Sequence, residues 1–282
     1  MGSTVDIASS FIEGAPPGEL HEVVKDIKTL TSDEDPALIA KLKPAFQRYN
    51  EEQLVAVKLQ GSNDYVLISK YNKLPSSSSS YYDTRTSKSF DFDHTTSTAS
   101  NVQSYSHETQ HSSLTQSLLQ SLSGSFADHY PPTTAAAYTV CEVPNNTNQI
   151  AILVSTTKAS PKNFLSGRWR SVFLYDTTDS TLSGEIKVDV HYYEDGNVAL
   201  STAKKFDAVS VSGNNADADT IVRKITVLEN QYQEEVNRAF VGMNETSFRH
   251  LRRQLPVTRQ KVEWEKVKGY SLGSDLKGEA KR

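Results

Sequence analysis

Glu185-Ile186-Lys187-Val188-Asp189-Val190-His191-Tyr192-Tyr193-Glu194-Asp195-Gly196-Asn197-Val198 decides the fold. Ile186, Val188, Val190 and Tyr192 alternate with Lys187, Asp189, His191 and Tyr193, so a strand here has one apolar face and one partly wet face. Asp195-Gly196 tolerates the positive φ angles of a type I′ turn, and the strand pattern resumes from Val198 to Lys204. Strands joined by so short a turn are antiparallel neighbours. Outward from this hairpin, Ala137 to Val143, Ile150 to Thr157, Arg170 to Tyr175 and Ala208 to Val211 read as further strands, which makes 131–213 a central antiparallel sheet.

Helices flank that sheet in sequence. Leu20, Val23, Val24, Ile27 and Leu30 follow a 3.6-residue period after Pro16-Pro17-Gly18. A second helix starts at Asp35-Pro36, carries Leu38, Leu42, Phe46 and Tyr49 on one face, and is expected to bend or divide at Pro44. These two would pack antiparallel as a helical segment over 1–52. Over 53–130 the expectations are β hairpins, one of them from Leu54 to Ile68, a mobile serine-rich loop at 76–80 without function, and a helix carrying Leu114, Leu118, Leu122 and Phe126. A long helix over 214–255 carries Ile221, Ile225, Leu228, Tyr232, Val236 and Phe240, with Asp217 or Asp219 as its cap, and Pro256 ends it. Residues 256–282 read as an appendage.

Of the 282 residues 37% are hydrophobic, enough for a real core, and the single cysteine, Cys141, excludes both a disulfide framework and a cysteine-rich zinc module. The chain opens without a basic patch and apolar run, and it contains no stretch of about 18 apolar residues, so neither a secretory signal nor a membrane span is expected. A cytoplasmic protein follows, with the sequons at Asn145 and Asn244 unglycosylated. The net charge of −4 argues against a uniformly basic nucleic-acid coat. That average conceals an asymmetry. Arg249, Arg252, Arg253, Arg259, Lys261, Lys266 and Lys268 face only Glu263 and Glu265, so 249–268 carries +5 and the remainder −9. On a helix starting near Val257, Val257, Trp264 and Val267 cluster on one side. A cationic segment with an exposed Trp is a docking element for an acidic partner, whether an acidic protein surface, anionic lipid or nucleic acid.

Chemistry is sparse. No nucleophile elbow, phosphate-cradling loop or dinucleotide-binding turn occurs, so an enzyme is disfavoured and no cofactor is expected. His191 and Glu194 fall on opposite strand faces and Asp195 in the turn, too scattered for one ion. Asp91 and Asp93 share a strand face beside His94 without a further ligand cluster, and a structural role is expected there as well. Cys141 lies in an apolar run as an inert thiol, and Trp169, between Arg168 and Arg170, is expected in the core.

The run Leu251-Arg252-Arg253-Gln254-Leu255-Pro256-Val257-Thr258-Arg259, continuing to Lys261 and Trp264, closely resembles the C-terminal signature of the α subunits of F-actin-capping proteins. So do Val190 to Val198, Pro161-Lys162-Asn163-Phe164, Gly167-Arg168-Trp169-Arg170-Ser171, Phe90-Asp91-Phe92-Asp93-His94, Asp128-His129-Tyr130-Pro131, and Phe11-Ile12 with Ala15-Pro16-Pro17-Gly18-Glu19. The resemblance runs from near residue 11 to near 273. It departs over 76–89, over 96–113, at Leu165 where relatives commonly have Trp, and past Gly273.

The resemblance implies an α+β fold: an N-terminal helical stalk (1–52), an antiparallel sheet continued across a heterodimer with a related β subunit, a long C-terminal helix over the sheet, and a mobile C-terminal tentacle (256–282). It implies a calcium-independent capper of actin filament barbed ends, placed in the cytoplasm and cortical actin cytoskeleton. Carried over by motif, the actin-binding residues are Arg249, where relatives often have Lys, together with Arg253 and Arg259. Trp264 and the amphipathic end around Lys266 resemble the affinity-adding tentacle. Phosphoinositide regulation through the same patch is implied. The competing reading is a peripheral phosphoinositide-binding protein acting through that patch.

Overall fold

A computed structural model of the chain describes residues 3–31, 36–62, 65–75, 77, 79–107, 110–130, 135–194, 198–211 and 216–243. The chain divides into two units, 1–230 and 231–282.

The first helix, α1 (Thr4–Glu13), has no counterpart in the sequence expectations. A capping box starts it: Ser3 Oγ accepts from the Asp6 amide at 3.2 Å, and the Asp6 carboxylate accepts from the Ser3 amide at 2.9 Å. α2 (Leu20–Leu30) and α3 (Pro36–Glu52) follow. The predicted two-helix pair is thus a three-helix unit, in which Ala8 and Ile12 of α1 join Ile27, Leu42, Phe46 and Tyr49 in one buried cluster. Pro44 does not divide α3, which runs 17 residues without interruption. Its ring is exposed while Leu42, Ala45, Phe46 and Tyr49 are buried, and that burial outweighs one missing backbone hydrogen bond.

β1 (Ala56–Lys58) and β2 (Tyr65–Leu67) form the expected hairpin. The stretch passed over as Ser/Thr-rich sequence holds a three-stranded antiparallel sheet, β3 (Ser80–Asp83), β4 (Lys88–Asp93) and β5 (Thr98–Ser104). The serine run therefore leads directly into a strand. Tyr81, Phe90 and Phe92 of this sheet pack with Leu59, Val66 and Ile68. α4 (Ser112–His129) buries Leu118 and Leu122.

The central sheet has five strands: β6 (Ala135–Val143), β7 (Asn146–Ser160), β8 (Leu165–Asp176), β9 (Thr181–Tyr192) and β10 (Val198–Ser210). They lie in the order β10-β9-β8-β7-β6, every neighbour antiparallel, so the sheet is a meander. Two segments read as separate strands, Val198 to Lys204 and Ala208 to Val211, are one strand bulged between Phe206 and Val209. α5 (Ala218–Gly242) starts where Asp217 Oδ1 accepts from the Thr220 amide at 2.8 Å, which settles the cap as Asp217.

The register assigns the faces. Tyr138, Val154, Ser171 and Ile186 are successive cross-strand partners and point the same way. Helices cover this face: Phe126 of α4 lies 4.7 Å from Tyr138 between ring centroids, and Glu229 of α5 accepts a hydrogen bond from Ser171. Ser121 and Ser125 of α4 bond to Asp219 and Thr226 of α5. The other face buries Ala137, Cys141, Ala151 and Leu153 beneath Leu67 and Tyr82, so hairpin and small sheet cover it.

Candidate interaction surfaces

The joint between the helical unit and the central sheet is built from charged groups that sequence reasoning did not single out. On β8, alternation puts Arg168 and Arg170 on one face and Trp169 on the other. The two arginines are buried, while Trp169 is half-buried with its Nε1 donating to Ser171 Oγ at 2.8 Å. The expectation of a core Trp is thus inverted: its neighbours are the buried residues. Arg168 donates to Thr157 Oγ1 at 2.9 Å and to Gln53 Oε1 at 3.1 Å. Arg170 donates to the Glu52 carbonyl at 2.8 Å and pairs with Asp189. Beside them, Glu19 contacts His191 Nδ1 at 2.6 Å and accepts from Ser166 Oγ at 2.7 Å. The alternation Arg-Trp-Arg on a strand was the available signal.

These contacts account for the suspected metal or acid–base clusters. His191 pairs with Glu19, Glu194 accepts from the Tyr192 hydroxyl, and Asp195 lies outside the described residues. Asp91 accepts from Ser80 and Asn101, Asp93 from the Thr95 amide and hydroxyl, and His94 lies between Asn50 and Tyr81. Among the described residues no group of three or more His, Cys, Asp or Glu is placed to hold a metal ion. Cys141 is fully buried, and burial pushes its thiol far from the thiolate form.

What remains open is an edge. At the β6 side of the sheet Thr84 donates its hydroxyl to the Val140 carbonyl, and the hairpin packs alongside. At the other side β10 bonds only to β9 among the described strands. None of its 13 residues is buried, and Val198 is 62% exposed. A long strand paired with a neighbouring strand on one side only is a template for another strand.

The residues expected to bind actin, Arg249, Arg253, Arg259, Trp264 and Lys266, all lie outside the described residues. They follow α5 directly. In the unit that begins at Gln231, Glu234 pairs with Arg238 one turn on at 3.4 Å, and Phe240 and Val241 are 47% and 60% exposed.

A family model described as the F-actin capping protein alpha subunit matches residues 8–275. The chain belongs to this family. Among curated F-actin-capping protein alpha subunits, that of Emericella nidulans is 50% identical over 279 residues, covering 99% of this chain and 98% of that protein. The Chaetomium thermophilum subunit is 52% identical over 272 residues (96% and 95%), and that of Saccharomyces cerevisiae is 31% identical over 281 residues (96% of each). The solved homodimeric actin capping protein alpha subunit of Plasmodium berghei has a TM-score of 0.67 at 20% identity, covering 83% of this chain and 91% of that one, which establishes the shared fold. The family is one of actin-binding proteins and not a known enzyme family. None of its described helices is long and apolar enough to cross a membrane.

Proposed function

We propose that this chain is the α half of a heterodimer that binds actin filament barbed ends and blocks subunit exchange without calcium. The open β10 edge carries the proposal: a related β subunit adds its own sheet there, and the long α5 crosses the combined surface. The stalk is then 1–52, the platform 53–255, and the actin-binding tentacle 256–282.

Capping requires slow dissociation and no covalent chemistry. Arms tethered to a rigid platform supply it, because each arm rebinds at high effective concentration while another holds. Arg249, Arg253 and Arg259 meet acidic actin surface first and steer the encounter, and Trp264 with Lys266 then closes into a groove. The concentration of +5 in 249–268 on a body of −9 supports this order of events. The complex acts in cortical actin structures, and phosphoinositides compete for the same cations.

Seeded barbed-end elongation with the co-purified β subunit tests the proposal. Arg253→Ala with Arg259→Ala is expected to slow capping by about tenfold or more at low salt and to flatten its salt dependence. An unchanged association rate refutes the steering role, and absence of capping by the parent dimer refutes the function.

A further inference from the structure

A cavity of about 770 Å³ opens between α2, α3 and the turn that joins β4 to β5, with Arg168 of β8 at its inner end. That volume falls in the range of small-molecule sites. Its floor is Phe46 and Tyr49, both buried, and the half-buried Leu20, Val24 and Ile39 continue the apolar wall. Among the described residues its lining includes the basic side chains His21, Lys28 and Arg168 and no carboxylate.

Arg168 is the unusual member. It is 7% exposed, and its contacts are the neutral oxygens of Thr157, Gln53 and Tyr49. Among the described residues no carboxylate lies within ion-pair distance of it, whereas the adjacent Arg170 has Asp189. Burial, and after it the neighbouring Arg170 cation, pulls its pKa down, and Asp189, its register partner on β9, offsets this only in part. Its Nε and Nη1 already donate to Thr157 and Gln53, so an acceptor in the cavity would meet the remaining N–H groups of the fork. Asn50, also lining the cavity, is fully buried, and its Oδ1 has no partner within hydrogen-bond distance.

We propose that this pocket binds a free anionic amphiphile, a carboxylate on an aliphatic body with an N–H donor beside the head group. The carboxylate neutralises Arg168, the N–H serves Asn50, and the body covers Phe46, Val24 and Ile39. Asp189 faces both buried arginines, so one further carboxylate matches the remaining positive charge, while His21 and Lys28 are exposed. No residue that lines the site belongs to β10 or to 249–268, so it does not rest on the capping reading.

The probe is N-octanoylglycine, titrated calorimetrically into the full chain, alone and co-produced with the β subunit. Expected is saturable 1:1 binding in both samples, with octyltrimethylammonium, the same chain bearing the opposite charge, not binding. Arg168→Gln weakens binding by about tenfold or more. Where that variant fails to fold, Val24→Phe decides, since it fills the cavity from a half-buried position without touching Arg168, and it abolishes binding. The proposal is overturned by absence of saturable binding, by equal binding of the cation, or by unchanged affinity in Val24→Phe. Binding to the chain alone but not to the dimer overturns it too, because the β subunit then occupies the pocket. Binding only to phosphatidylserine vesicles overturns it in favour of a membrane surface.

Discussion

Glu229 is a carboxylate taken out of water and held by hydroxyls, Ser171 on one oxygen and Tyr130 at 3.3 Å on the other. Burial raises its pKa, and the hydrogen bonds from Ser171, Tyr130 and Trp169 offset this only in part. An acid whose folded pKa is raised keeps its proton where the unfolded chain has lost it. Its contribution to stability is greatest below the ordinary value of 4.5 and is lost as pH rises through the folded pKa. Glu229→Gln is therefore expected to stabilise at pH 8 by about 1 kcal/mol, roughly 2–4 °C in Tm, the gain shrinking toward acid, as calorimetry over a pH series will show. Gly184 has a different constraint. A Cβ there would lie 2.5 Å from Phe173 Cδ1 and 2.6 Å from the Val172 carbonyl oxygen, between Phe173 and Phe206, whose ring centroids are 5.8 Å apart. Gly184→Ala should cost about 1–3 kcal/mol in a urea titration. Neither residue announces itself in sequence: Glu229 reads as a polar position on a long helix, and Gly184 as punctuation before a strand.

Elements with strong periodicity were legible, and those whose signals are small polar residues were not. α2, α4, α5 and four of the central strands fall close to where their apolar repeats place them. The small sheet β3–β5 did not, because its inward residues are few and its turns carry no glycine: Ser87 and Ser97 take positive φ of 52° and 54°, and Asp83 and Asp93 accept from Thr86 and Thr95 to close the turns. α1 was missed because its capping box is Ser3 with Asp6, in place of the usual Glu or Gln at the third helical position. Pro44 was read as bending or dividing the helix, on propensity alone. Since its ring is exposed in an unbroken helix, Pro44→Ala is expected to stabilise by about 1–2 kcal/mol, the restored hydrogen bond offset partly by a freer unfolded chain. Equilibrium denaturation measures it, and a loss of stability would show that the proline fixes the helix direction.

At the scale of the molecule, each end strand of the central sheet has one strand neighbour, but Thr84 and the hairpin lie against β6, whereas none of the residues of β10 is buried. Amide exchange of β10 in the chain alone is expected to be fast, and co-production with the β subunit should slow it by about two orders of magnitude or more, because paired amides exchange only on opening. Unchanged exchange would place the β subunit elsewhere. The overall charge of −4 says little about partners, since it averages a cationic segment against an acidic remainder. By itself the sequence determined the antiparallel central sheet, the long final helix, the charge asymmetry and, through its motifs, the family, because these depend on local periodicity and on the order of residues. Only the tertiary structure decided the strand order, which face of β8 holds the arginines, that Asp189 pairs with Arg170 and not with Arg168, that His191 meets Glu19, and how exposed β10 is. Those facts join residues up to 172 positions apart, and a pairing across such distances is set by packing and desolvation, which no local pattern encodes.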